Sequence, residues 1–321
     1  MIILKGKKIL VTGGAGFIGS NMCARLLVEN EVYAIDNFQN VDNRHVKLLS
    51  ASERFHFTRA DITDYSTLDP LAKNGPYDTV IHLAANSDVR GGSVDPLTDL
   101  RVNVQGTYNV LEFCRKTDSR NLIFASSSTV FGEAAVLPTP EDYGPLMPIS
   151  TYGASKLAGE GFISAFSHYY GIRGTVFRFA NIVGRNSTHG VIFDFIMKLR
   201  KNPRDLEVLG DGSQRKSYLH VDDCVEGMIF LNGASRKTDV YNLANSDTTS
   251  VMDIARYVSV GLGLKDVNFR LVPGEGGRGW KGDVKLAQLS IEKSMKAGWK
   301  SSISSNESVL KAIREVIPQL T

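Results

Sequence analysis

The apolar run Lys8-Ile9-Leu10-Val11 leads straight into Thr12-Gly13-Gly14-Ala15-Gly16-Phe17-Ile18-Gly19-Ser20. Gly14, Gly16 and Gly19 satisfy G-x-G-x-x-G, and Gly13, Gly16 and Gly19 also give G-x-x-G-x-x-G. A short apolar run of this kind reads as a buried strand. The amphipathic stretch 21–29 behind the glycines reads as a helix. Strand, glycine turn and helix in that order demand a tight turn and close packing of helix on strand. They also bring backbone N–H groups up to an anion at the helix N-terminus. Turn glycines alone would be unspecific; the strand before them and the helix after them make the pattern informative.

A second apolar strand, Val32-Tyr33-Ala34-Ile35, ends at Asp36. A carboxylate at this distance from the glycines can bond both ribose hydroxyls of NAD and repels the 2′-phosphate of NADP. The expected cofactor is therefore NAD. Further strands read at Phe55-His56-Phe57, Thr79-Val80-Ile81-His82-Leu83, Asn121-Leu122-Ile123-Phe124-Ala125 and 175–178, with helices at 97–114 and 152–170. This alternation predicts an α/β fold, a Rossmann-type doubly wound parallel sheet. After Asn181, Gly, Asn and Pro become frequent, and short strands mix with helices at 191–201, 221–232 and 251–262. The expected organisation is an NAD-binding domain over 1–180 and a smaller mixed α/β substrate-binding domain over 181–321, with room for strand exchange between them.

The remaining bulk properties exclude more than they assign. The 321 residues are 42% hydrophobic and 22% charged with a net charge of +3, so no strongly acidic or basic partner such as nucleic acid is implied. No apolar run has membrane-spanning length, and no signal-peptide pattern opens the chain. Cys23, Cys114 and Cys224 are scattered, and neither they nor the six histidines have metal-ligand spacing. We expect buried free thiols in a cytoplasmic protein and no metal.

Tyr152 and Lys156 lie four residues apart in Tyr152-Gly153-Ala154-Ser155-Lys156, one turn apart on one helix face. A free phenol, with a pKa of roughly 10, is a poor base at neutral pH. A neighbouring ammonium favours the phenolate. The pair is expected to be a proton acceptor suited to work beside a hydride carrier.

Together with Asp61-Ile62, His82-Leu83-Ala84-Ala85, Asn103, Ser126 to Gly132, Arg178-Phe179-Ala180-Asn181 and Gly210-Asp211-Gly212 leading to Tyr218-Leu219-His220-Val221, these residues resemble the extended short-chain dehydrogenase/reductase family. Within it the similarity is closest to the UDP-glucose (UDP-galactose) 4-epimerases and covers nearly the whole chain. The resemblance implies catalytic Ser127, Tyr152 and Lys156. It implies cofactor contacts from Gly13, Gly16, Phe17, Ile18, Gly19, Asp36, Asn37, Asp61, Ile62, Leu83, Ala84, Ala85, Asn103, Tyr152 and Lys156. It implies a nucleotide sugar, a UDP-hexose, held by Ser127, Ser128, Thr129, Asn181, Val191, Lys216, Tyr218 and Arg278. Lys216, with Arg215 beside it, falls where many members carry arginine, and Phe131 replaces a usual tyrosine. A homodimer through the helices 97–114 and 152–170 is implied as well.

One segment bears on the reaction. Family members that eliminate water carry Asp-Glu just before the Val-Tyr-Gly position, because elimination needs an acid and a base. Decarboxylases carry a glutamate there. This chain has Ser128-Thr129. Oxidation and re-reduction at one carbon is the chemistry left, so the expected activity is that of an isomerase. The sugar is expected to be glucose/galactose, with N-acetylhexosamine or uronic-acid 4-epimerases as alternatives, a net-redox reductase behind them, and a non-catalytic NAD sensor as the remote one.

Overall fold

The computed structural model describes residues 4–234 and 237–320. The chain forms two compact units. One comprises residues up to Gly132 with Gly144–Arg178 and Met228–Tyr241; the other comprises Glu133–Tyr143, Phe179–Gly227 and the residues from Asn242 on. The chain thus leaves and re-enters the first unit twice; the sequence placed the division near 180, with strand exchange allowed between the domains.

The first unit is built on strands β1 (Lys8–Thr12), β2 (Glu31–Asp36), β3 (Phe55–Arg59), β4 (Thr79–His82), β5 (Asn121–Ser127) and β6 (Arg173–Phe179). With the strand Asp239–Leu243 at one edge they make a seven-stranded sheet, in the order 239–243, β6, β5, β4, β1, β2, β3. The pairs β1–β2, β2–β3, β1–β4 and β4–β5 are parallel. Every residue of β4 is buried, as expected when helices cover both faces of a parallel sheet. Side chains from Leu10, Val80, Leu111, Phe113, Leu122, Phe124, Ile163 and Val176 share one core. The order of winding reverses between β1 and β4, which makes the carboxyl ends of these strands the expected ligand crevice.

Two helices differ from their expected extents. The first runs Phe17–Leu26, four residues earlier than the 21–29 stretch, because Gly16, extended at φ −71° and ψ 178°, starts it directly behind the turn. The helix expected at 97–114 is three pieces: Pro96–Asp99, a wider π-helical turn Leu100–Gln105, and Gly106–Lys116. Such turns are rare and occur often at functional sites. The helix Thr151–Tyr170 is capped by Ser150, whose hydroxyl accepts from Gly153 N at 3.1 Å, and stops at Gly171, which takes a left-handed φ of 68°.

The second unit packs the helices Val191–Lys201, Val251–Gly261 and Ser305–Gln319 around Ile196, Leu199, Leu206, Val208, Ile254, Val258, Val309 and Ile313. Strand Asp205–Leu209 pairs in parallel with Asn268–Val272, and Asn181–Val183 with Tyr218–His220. The last helix opens with a capping box between Ser304 and Glu307. No helix among the described residues is long and apolar enough to cross a membrane.

Candidate active site

Gly13 adopts φ +70°, and a Cβ there would stand 2.7 Å from Ala84 N. A Cβ on Gly19 would meet Gly13 O at 1.9 Å. Both positions therefore need glycine, one for its backbone conformation and for close approach to the 83–85 segment, the other for the packing of helix on turn. Gly16 donates to Gly13 O at 3.1 Å, and the first helix starts behind it at Phe17 with no side-chain cap, so its first N–H groups, those of Phe17 and Ile18, are available to an anion. Asp36 ends β2 beside this loop. Its carboxylate accepts from Phe38 N at 2.8 Å and Ala15 N at 3.2 Å. Burial pushes its pKa up, against the pull of these donors. The cradle and the acidic group at its side fit a dinucleotide with free ribose hydroxyls, as the sequence implied.

Asn37 donates to Asp61 at 3.0 Å, and Thr63 donates to the same carboxylate from its backbone at 2.9 Å. Burial acts to raise the Asp61 pKa, but these bonds outweigh it and hold the group below its ordinary value. Ile62 is buried against Gly106, and its carbonyl accepts from Asn109 at 2.8 Å. Leu83 and Ala84 are fixed by the Thr12 hydroxyl, which accepts from their N–H groups at 3.2 and 3.1 Å; Ala85 follows half-buried. Asn103 is tied to the same segment. Its side chain is buried, accepts from Asn86 N at 2.8 Å, and donates to Ser155 Oγ at 3.0 Å and Asp99 at 3.3 Å. These bonds fix Asn86, the residue after Ala85.

At the end of β5, Ser127 Oγ accepts from Thr129 N at 3.2 Å and Thr129 Oγ1 at 2.9 Å, and it is also bonded to the Tyr152 hydroxyl. Ser128 starts the one-turn 3-10 helix Ser128–Phe131. Lys156 is 3% exposed. Its ammonium donates to Ala125 O at 3.0 Å and stands 5.8 Å from the centre of the Tyr152 ring. The structure thus brings Ser127, Thr129, Tyr152 and Lys156 together. The expected lowering of the phenol pKa is absent: burial pushes Tyr152 up to about 12, against the pull of Ser127, with Asp99 adding to the rise. Burial likewise brings Lys156 down to about 8, partly offset by Asp99. At neutral pH the phenol therefore stays protonated and Lys156 is mainly an ammonium.

Sequence reasoning overlooked three supports. Asp99 is the buried carboxylate acting on both members of the pair. Glu160 and Arg178 form a buried ion pair at 2.7 Å, and Ser126 donates to Glu160 at 2.5 Å. Phe131, where a tyrosine was expected, lies under the Arg178 guanidinium, 4.7 Å from ring centre to Cζ. An apolar ring serves that contact as well as a phenol does. The i, i+4 spacing of Asp99 and Asn103 was the one local signal for the first of these.

The five residues after 180 that were expected to hold substrate lie in the second unit. Asn181 donates from its side chain to Ser217 O at 3.2 Å, and Val191 starts a helix behind Gly190. Lys216 pairs with the buried Asp283 at 2.7 Å. Arg278 donates to Asp283 O at 2.6 Å and pairs with Glu133. Tyr218 is buried in the core of this unit. His220, Asp222 and Glu315 offer ligand atoms within 4.8 Å of one another. Arg185 and Lys311, each 2.6 Å from Asp222, already supply positive charge to this cluster.

The model of the NAD dependent epimerase/dehydratase family matches residues 9–244. The chain belongs to that family. A putative UDP-glucose 4-epimerase of Methanocaldococcus jannaschii is 33% identical over 311 residues, 95% of this chain and 97% of the relative. Among solved structures, a UDP-galactose 4-epimerase superposes with a TM-score of 0.86 at 40% identity, covering 98% of this chain and 99% of that one. A UDP-glucuronic acid 4-epimerase of Bacillus cereus, solved with UDP-glucuronic acid and NAD, gives 0.87 at 27% identity over 98% and 100%. The family member described here is an NAD-dependent enzyme of the nucleotide-sugar epimerase kind, an isomerase.

Proposed function

We propose that this protein inverts carbon 4 of a UDP-hexose and interconverts UDP-glucose and UDP-galactose, as in galactose metabolism. The observation that carries the reading is the Ser127–Tyr152–Lys156 cluster with hydroxyls, not carboxylates, at 128 and 129. NAD, when bound, supplies the acceptor that takes a hydride from carbon 4 and returns it. Gly13, Gly16, Phe17, Ile18 and Gly19 would hold its pyrophosphate, and Asp36 its adenosine ribose. Tyr152 takes the proton of the sugar 4-hydroxyl and later gives it back. Ser127 holds that oxygen and shares its proton. Lys156 bears on the nicotinamide ribose and on the phenol. Since burial holds the phenol up, its ionisation depends on positive charge brought close to it. Asn181, Val191, Lys216, Tyr218 and Arg278 are read as substrate contacts, the two cations for the diphosphate.

Glucose/galactose leads because the UDP-galactose 4-epimerase is the nearer of the two compared structures in sequence, at 40% identity against 27% for the uronic-acid enzyme. Purified protein assayed with UDP-galactose, UDP-N-acetylgalactosamine and UDP-galacturonate tests this; failure on the first with turnover of another moves the substrate. Two copies are read to pair through the helices at 97–114 and 152–170. Leu100, Tyr108, Phe162 and Tyr169 are exposed apolar side chains on them. Light scattering at twice the chain mass is expected, and a monomer removes the dimer. The buried free thiols of Cys23, Cys114 and Cys224 suit a reducing compartment such as cytoplasm.

A further inference from the structure

Asp99 is 1% exposed, and each of its polar neighbours donates to it. Asn86 Nδ2 reaches Oδ1 at 2.9 Å and Asn103 Nδ2 the same oxygen at 3.3 Å; Thr151 Oγ1 reaches Oδ2 at 2.7 Å. Amide nitrogens can only donate, so this surround suits an acceptor-only carboxylate. A buried carboxylate is costly unless it is hydrogen-bonded and has a compensating charge. The packing leaves it little room to move: a Cβ on Gly92 would stand 2.5 Å from Oδ2 and 2.2 Å from Thr151 Oγ1.

The charged groups around it narrow the compensating partner. From the 86–95 loop, Asp88 and Arg90 are exposed, and Asp95 is tied to Leu97 and Thr98. From the π-helical turn, Arg101 is exposed and acts on Asp95. From the helix Thr151–Tyr170, Glu160 belongs to Arg178. Among the buried groups, Asp99 acts electrostatically on Tyr152, a neutral phenol, and on Lys156, the cation of the two. His82, which Lys156 also faces, is bonded to Thr12 and Thr107. The mechanical path is equally direct. Thr151 is the first residue of the helix that carries the pair, and Asn103 links Asp99 to Ser155, whose hydroxyl donates to Tyr152 O at 2.7 Å.

We propose that Asp99 is a positioning residue of the reaction, a buried counter-charge to Lys156 that also braces the first turn of the helix presenting Tyr152. This rests on the roles given to Tyr152 and Lys156 above. Its two parts are separable. The charge should keep Lys156 an ammonium near neutral pH; the brace should keep the phenol aimed.

The test follows the Lys156 ε-carbon by NMR against pH in the full-length, 13C-lysine-labelled protein, assigned with Lys156→Arg. In Asp99→Asn the Lys156 midpoint should fall by about half a pH unit or more, as for loss of a nearby opposite charge. The alkaline limb of kcat should fall with it. Thr151→Val keeps the charge and removes the brace; its midpoint should stay put while kcat drops several-fold at unchanged KM. An unmoved or raised midpoint in Asp99→Asn overturns the counter-charge, and parental kinetics in Thr151→Val overturn the brace. Should Asp99→Asn fail to fold, Thr151→Val still decides the brace, and Asp99→Glu, which keeps the charge, should leave the Lys156 midpoint in place; a midpoint that falls by about half a pH unit there overturns the counter-charge. If no sugar nucleotide is turned over, the proposed function fails, while the Lys156 titration still reads Asp99.

Discussion

Replacing Arg178 by Met is expected to destabilise the first unit severely while leaving the reacting groups in place. The Arg178 and Glu160 side chains are 5% and 9% exposed. The guanidinium grips the carboxylate through two bonds, at 3.0 and 2.7 Å, and stacks on Phe131. Removing one member of such a pair leaves a buried charge without compensation, at a cost of about 3–5 kcal/mol. For a unit of this size each kcal/mol moves the melting midpoint by roughly 2–4 °C, so a fall of about 10 °C is expected. Glu160→Met should cost a similar amount. The double variant, with no charge left, should lie closer to the parent than either single one. A residual deficit of about 1 kcal/mol should persist, because Ser126 loses its acceptor. Differential scanning calorimetry with NAD at fixed concentration measures all four. Single variants within about 2 °C of the parent would mean that the pair is effectively solvated. A double variant as poor as the singles would mean that packing, not charge, sets the cost.

Other outcomes follow from the same geometry. Gly13→Ala combines a strained backbone with a Cβ 2.7 Å from Ala84 N, and should weaken NAD binding at least tenfold by isothermal titration; parental affinity would contradict the cradle. Lys156 works as an ammonium with its pKa brought down to about 8, so kcat should decline above that pH; a flat profile to pH 10 would contradict its role. His82 is buried and neutral, with a folded pKa lowered to about 3 against an unfolded value near 6.5. Its contribution to stability is therefore complete above about 6.5 and is lost as pH falls towards 3, so His82→Gln should flatten the acid side of the stability profile; an unchanged slope would remove His82 as its cause. Asp36→Asn should narrow the preference for NAD over NADP, read as the ratio of the two dissociation constants.

Much of the sheet was legible because its signals are local. Apolar runs at 8–11, 32–35 and 79–83 mark strands wherever they sit, and Gly13, Gly16 and Gly19 are constrained by their own turn. Tyr152 and Lys156 could be paired because one helical turn joins them. The supports could not be read. Asp99 acquires meaning only when Thr151, 52 positions later, closes on it. Glu160 and Arg178 meet across 18 residues. Even the phenol's pKa was misjudged, since the sequence gives the adjacent cation but not the depth at which both are buried.

The most direct trial of the whole account is to follow the hydrogen on carbon 4. UDP-galactose deuterated at that carbon should yield UDP-glucose carrying the label at the same carbon, in ordinary water and with no net NADH formed. Tyr152→Phe should stop this conversion while NAD still binds. Loss of the label to solvent, or its full retention with undiminished turnover in Tyr152→Phe, would contradict the mechanism.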